Sequence, residues 1–152
     1  MTRTPLLLAA VMTSLAMPAL AADPLLDRYK AAAIKTGTNM IAYFETCAPG
    51  ISAKLPEIDY TPEMDAAASC QLSEYRKSAG DAAVEELVAE AEAWSEKPFV
   101  GLESMSPPGE HGASDAFMNI TLSCGVVAAS QTTNIGKAMR ANMTALTPCF
   151  TQ

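Results

Sequence analysis

The sequence has little catalytic chemistry to offer. It holds one histidine and one tryptophan in 152 residues, and aromatic residues make up 6% of it. A lone histidine at position 111 leaves no pair of imidazoles for a metal or a proton relay. No G-x-S-x-G elbow stands near Ser104, Ser106 or Ser114 to turn His111 into the base of a serine hydrolase. The four cysteines, 47, 70, 124 and 149, never stand at C-x-x-C spacing, and no C-x-x-C-H occurs, so the common redox, zinc and covalent haem motifs are absent. Basic residues are few, with ten Lys and Arg against seventeen Asp and Glu. That deficit makes nucleic acid and anionic membrane surfaces poor partners; a charge-steered partner would be a cationic protein or ligand, while solubility alone is the simpler reason for the acidity.

Long apolar runs are also missing. Leu6 to Met17 is apolar for twelve residues, short of the ~20 needed to cross a bilayer. Arg3 before it and Ala19-Leu20-Ala21 after it give the run the layout of a secretory signal, cut before Ala22. Residues 1–21 are therefore expected to be a cleaved leader, with residues 22–152 one domain of about 130 residues. Ile120 to Ala129 is interrupted by Thr121, Ser123 and Gly125, so no membrane insertion is expected after cleavage. Export, to a periplasm or the extracellular space, makes the cysteines disulfide partners rather than nucleophiles or ligands. Short loops close at the lowest entropic cost, which favours Cys47 with Cys70 and Cys124 with Cys149. Pairing Cys47 with Cys149 would instead tie the C-terminal tail to the first helix, and spacing alone does not decide.

What is present is helical periodicity. Leu26, Tyr29, Ala33, Met40, Phe44 and Cys47 form a stripe that starts from Asp23-Pro24, an N-cap followed by a first-position proline, and ends at Ala48-Pro49-Gly50. Gly37 within it marks a break near 36–38 or a close helix contact. Thr61-Pro62-Glu63 opens a second helix to about Ala79, with Met64, Ala68, Leu72, Tyr75 and Ala79 on one face and Cys70 at its edge. Gly80 ends it and Asp81 is read as the N-cap of a third, whose stripe is Val84, Leu87, Val88, Ala91 and Trp94. Pro98 ends that helix. Ser114 or Asp115 then caps a last helical region with two stripes, broken at Thr132-Thr133-Asn134. No run alternates at period two. The expected fold is all-α, a four- or five-helix bundle braced by two disulfides, with a long irregular loop at 98–113.

Three features remain for function. Glu85, Glu86, Glu90, Glu92 and Glu96 crowd the polar face of the third helix, where like charges one turn apart repel and a cationic partner would relieve them. The 98–113 loop is long for a compact domain and carries Glu110 and His111 in a Pro-Pro-Gly-Glu-His-Gly turn, which reads as a solvated segment. Glu110, His111, Met105 and Asp115 could approach a metal, but adjacent residues rarely supply two ligands, and neither a metal nor any other cofactor is expected. Met40, Met64 and Met139 fall on helical stripes, while Met118 and Met143 lie off them. These features predict a non-enzymatic binding protein: an inhibitor, immunity-type or accessory protein that contacts another protein through the acidic face and the loop. The alternative is a carrier of a small ligand or metal in an interhelical pocket lined by Met40, Phe44, Tyr75 and Trp94.

Overall fold

A computed structural model describes residues 23–107 and 109–151. The expected leader lies outside the described residues. Those described form seven α-helices and three short 3-10 turns without a strand, so the fold is all-α. The first helix, α1 (Pro24–Cys47), starts where Asp23 accepts the Leu25 N–H at 3.0 Å. It runs unbroken through Gly37. A side chain at that position would meet Ile58 at 3.1 Å, so the close contact is with the loop that precedes the second helix rather than with another helix.

The second helix, α2 (Pro62–Ala79), is capped by the Thr61 hydroxyl, which accepts the Met64 N–H at 3.3 Å. The third, α3 (Asp81–Ser95), follows after the single residue Gly80. Asp81 does not cap it; it is the first helical residue, and its carboxylate pairs with Arg76 at 2.9 Å. The turn is so tight that Gly80 serves as the C-cap of one helix and the N-cap of the next.

Beyond Ser114, four helices stand where one bent region was expected. They are α4 (Asp115–Ser123), α5 (Val126–Thr132), α6 (Asn134–Ala141) and α7 (Met143–Leu146). Gly125 has φ +70°, a left-handed conformation that ends α4, and the Thr133 hydroxyl accepts from Gly136 N–H to start α6. Gly136 is required by contact rather than by φ, since a Cβ there would collide with the Ser130 backbone oxygen. The count therefore exceeds five because capping residues, not the apolar stripe, divide this stretch. The last α-helix ends at Leu146, just before Thr147-Pro148, and Thr147–Phe150 follows as a 3-10 turn.

Two apolar clusters hold the helices together. The first joins Tyr43 and Phe44 of α1 to Ile51, Leu55, Phe99, Ile135, Leu146 and Cys149. The second joins Leu72 and Tyr75 of α2 to Val84, Leu87 and Val88 of α3 and Phe117 of α4. Phe44, Ile51, Leu72, Val84, Val88 and Leu146 are almost fully enclosed, each contributing on the order of 1.5–3 kcal/mol by leaving water.

The disulfides are Cys47–Cys149 and Cys70–Cys124, so the local pairing expected from loop length is wrong. Lengthening a loop from 23 residues to 102 costs little more than 1 kcal/mol, which the first cluster outweighs by burying the C-terminal turn against the end of α1. Tyr43 donates its hydroxyl proton to the Cys149 carbonyl at 3.2 Å, and the Phe44 and Phe150 rings meet edge to face at 5.8 Å. From the edge of the α2 face, Cys70 reaches Cys124 at the end of α4. Two such bonds fit an oxidising, exported environment. No described helix is long and apolar enough to cross a membrane.

Candidate functional site

The described residues of the 98–113 segment are tied to α3 near both ends. The segment begins with Phe99 buried beside Trp94, ring centroids 5.6 Å apart. A 3-10 turn, Leu102–Met105, follows, tied back by the Trp94 indole N–H, which donates to the Ser104 carbonyl at 3.1 Å. The Ser104 hydroxyl accepts the Val100 and Gly101 N–H groups at 3.0 and 3.3 Å. At the far end, Glu90 of α3 gathers three successive amides. Its Oε1 accepts from Glu110 N–H at 3.0 Å, and its Oε2 accepts from His111 and Gly112 N–H at 3.2 and 3.1 Å. A carboxylate holding three backbone donors anchors a loop far better than an apolar contact, because each charge-assisted bond is worth ~1.5–3 kcal/mol.

His111 is not a solvated loop residue. Its side chain is 19% exposed and sits between Glu86, whose Oε2 is 2.7 Å from Nε2, and the Tyr75 hydroxyl, 2.7 Å from Nδ1. A carboxylate can only accept, so Nε2 carries the proton in the neutral ring and Nδ1 accepts from Tyr75. Burial pushes the Tyr75 phenol above its ordinary value; the Ser114 hydroxyl pulls it back, and Glu90, Glu110 and Glu86 raise it further. The phenol therefore stays protonated and remains the donor. Sequence periodicity places Tyr75 in the core but cannot show that its hydroxyl reaches position 111.

The remaining glutamates of the acidic face also have partners within the chain. Arg28 of α1 grips Glu92 with Nε and Nη2 at 2.8 and 2.7 Å, which holds the Glu92 carboxyl below its usual range. Lys35 pairs with Glu96 at 2.5 Å. Repulsion along α3 is thus relieved by α1 and by the loop. The side chains of Glu85 and Glu110 make no hydrogen bond or ion pair among the described residues. His111, Glu110, Met105 and Asp115 do not converge on a metal, and no group of three or more His, Cys, Asp or Glu is so arranged among the described residues.

Beside the anchored loop lies a cavity of about 200 Å³, partly open to solvent. Tyr29, Ala33 and Thr36 of α1, Leu87, Glu90, Ala91 and Trp94 of α3, and Phe117 of α4 form its walls, and Pro107 and Gly112 form its cover. The pocket expected between helices therefore exists, but with a different lining. Of the four residues named for it only Trp94 takes part; Phe44 and Tyr75 are core residues, and Met40 lines a second cavity of about 300 Å³ with Met64, Met139 and Asp59. The lining is drawn from the apolar stripes at other positions, Tyr29 and Ala33 of α1 and Leu87, Ala91 and Trp94 of α3. Ala33 and Ala91, too small to fill the gap between α1 and α3, leave it open.

Fixed groups shape the walls. Tyr29 donates its hydroxyl proton to Gln71 Oε1 at 3.1 Å, and Gln71 Nε2 donates to Thr121 at 2.5 Å, a buried chain linking α1, α2 and α4. Burial pushes the Tyr29 phenol well above its ordinary value, so it is a neutral ring. Phe117 is held edge to face against Tyr75 at 5.2 Å. A comparison with known family models, curated proteins and solved structures finds no match.

Proposed function

We propose that this is an exported, non-catalytic binding protein, working in a periplasm or outside the cell, that carries a small, largely apolar ligand between α1, α3 and α4. The observation that supports the reading is the cavity itself. It is lined by apolar and aromatic side chains, contains one carboxylate, and is covered by a loop that α3 holds in place through Glu90. Pockets that bind small molecules have this composition, mostly apolar with a few placed polar groups. An engineered apolar cavity of about 150 Å³ admits benzene, so the space here suits a ligand of about one ring. Thermal melting against a panel of small apolar compounds tests the reading. A ligand at 100 times its Kd adds ~2.7 kcal/mol. Ala91→Phe, which fills the space, abolishes that gain; stabilisation that survives it would place the ligand elsewhere.

A second reading, contact with another protein, draws on a different observation. Met118 and Leu122 lie one turn apart on α4 and are both solvent-exposed, Leu122 at 62%. The acidic face of α3, the surface first considered for such a partner, offers less than its charge suggests, because a cationic protein would have to displace Arg28, Lys35 and the loop amides. Leu122→Asp abolishes capture of an envelope partner under this reading and leaves ligand stabilisation untouched.

A further inference from the structure

The walls of the covered cavity carry more chemistry than apolarity. Three aromatic rings, Tyr29, Trp94 and Phe117, come from three different helices, and the carboxylate of Glu90 joins them. The polar atoms of the rings are already spent. The Tyr29 hydroxyl donates to Gln71 and the Trp94 indole N–H donates to Ser104, each away from the ligand space. What the rings still offer is hydrocarbon and π surface. Glu90 likewise spends its lone pairs on the amides of Glu110, His111 and Gly112, yet those donors are neutral and leave its negative charge in place. None of the ion pairs among the described residues includes Glu90, and no Lys or Arg lines the cavity.

We infer that the cavity selects a small organic cation, of the quaternary alkylammonium class, held by cation–π attraction to Tyr29, Trp94 and Phe117 and by the charge of Glu90. The inference rests on the small-ligand reading above and narrows it. An anion is repelled by Glu90. An inorganic divalent ion needs six or more oxygen ligands or retained waters, and the lining supplies one carboxylate and the Thr36 hydroxyl. A primary ammonium brings three N–H donors that must be accepted, and with Glu90 engaged by the loop amides the lining side chains leave the Thr36 hydroxyl to accept them. A quaternary ammonium has no N–H to satisfy, is weakly hydrated for a cation, and gains from each ring face it meets.

Calorimetric titration of the full mature chain with choline, its uncharged carbon isostere 3,3-dimethylbutan-1-ol, ethanolamine and benzene tests this. Choline is expected to bind at least ~10-fold more tightly than the isostere and than ethanolamine, the range that cation–π contacts in a desolvated site provide. Tyr29→Phe keeps the ring and retains choline affinity within about twofold, whereas Glu90→Gln, its fold checked by circular dichroism, brings choline down toward the isostere. If the isostere or benzene binds as well as choline, the cation selectivity is overturned and the cavity remains an apolar ligand site. If ethanolamine equals choline, the quaternary preference is overturned. If none of the four binds to the wild-type protein, both this inference and the small-ligand reading are overturned.

Discussion

Glu90 accepts the backbone N–H of Gly112 at 3.1 Å, a bond between two walls of the same cavity that are 22 residues apart in the chain. With the neighbouring bonds to Glu110 and His111 it makes one side chain both the anchor of the cover and, among the described residues, the only charge in the lining. The loop that looks irregular in sequence is therefore positioned by α3, and cavity and cover stand or fall together.

Removing the anchor should open the cover without unfolding the bundle. Glu90→Ala is expected to raise amide hydrogen exchange at 110–112 by ~10- to 100-fold, the local equivalent of losing charge-assisted bonds, while Val84 and Val88 of the core stay protected. Unchanged exchange at the three amides would show that other contacts hold the loop.

Tyr75 and His111 form the second tie. Tyr75→Phe leaves the ring packed against Phe117 but deprives His111 Nδ1 of its donor, at a cost of about 1–2 kcal/mol in a denaturant melt. His111→Ala should cost at least as much because it also releases Glu86. A melt unmoved by both changes would mean that the Glu86, His111 and Tyr75 chain contributes nothing to stability.

The disulfides make a sharper claim. Peptide mapping without reductant is expected to recover Cys47 linked to Cys149 and Cys70 linked to Cys124, and neither of the local pairs. Closing loops of 54 and 102 residues is worth about 4–5 kcal/mol each in the chain-entropy limit, so replacing Cys47 and Cys149 by Ala should lower the melting temperature substantially. The same variant should still fold, since Leu146 and Phe44 continue to bury the C-terminal turn.

Acid should destabilise the fold through four carboxylates, one of them Glu63, which its own backbone N–H and the Thr61 hydroxyl hold below its usual range. Glu45 is held below its usual range by the Gly50 and Ser52 amides, and Glu92 by Arg28. Burial alone would raise Asp23, but Arg76 and the Leu25 and Leu26 amides together outweigh it and lower it. A carboxyl depressed in the folded state contributes stability that is complete above its unfolded value and is lost as pH falls through the folded one. The melting temperature should therefore be flat with respect to these groups from pH 6 to 8 and fall below about pH 4. Asp23→Asn should reduce the acid slope; an identical slope would remove Asp23 from the account.

Helix positions and caps were largely legible because they depend on neighbours in sequence. Asp23, Thr61 and Ser114 cap where their side chains and the following residues dictate, and Pro24 and Pro62 sit at the starts of α1 and α2. The all-α class follows from the same periodicity. The disulfide pairing was not legible, because a difference of about 2 kcal/mol in loop closure, summed over the two loops, is smaller than the core burial that opposes it. The candidate site was legible only in part. Trp94, Glu90 and the loop were marked by composition, but Tyr29, Ala33 and Phe117 join them only through tertiary packing. The acidic face pointed outward on the helical wheel, and the basic residues that neutralise it, Arg28 and Lys35, lie more than 55 residues upstream of Glu92 and Glu96.

The central claim is that the covered space between α1, α3 and α4 receives a ligand, and Trp94, the only tryptophan, lines that space. The most direct measurement is its fluorescence during titration with choline, in the wild-type protein and in Ala91→Phe. A saturable change in the wild type that vanishes in the filled variant is the predicted result. An emission that never responds, or responds equally in both proteins, would contradict the account.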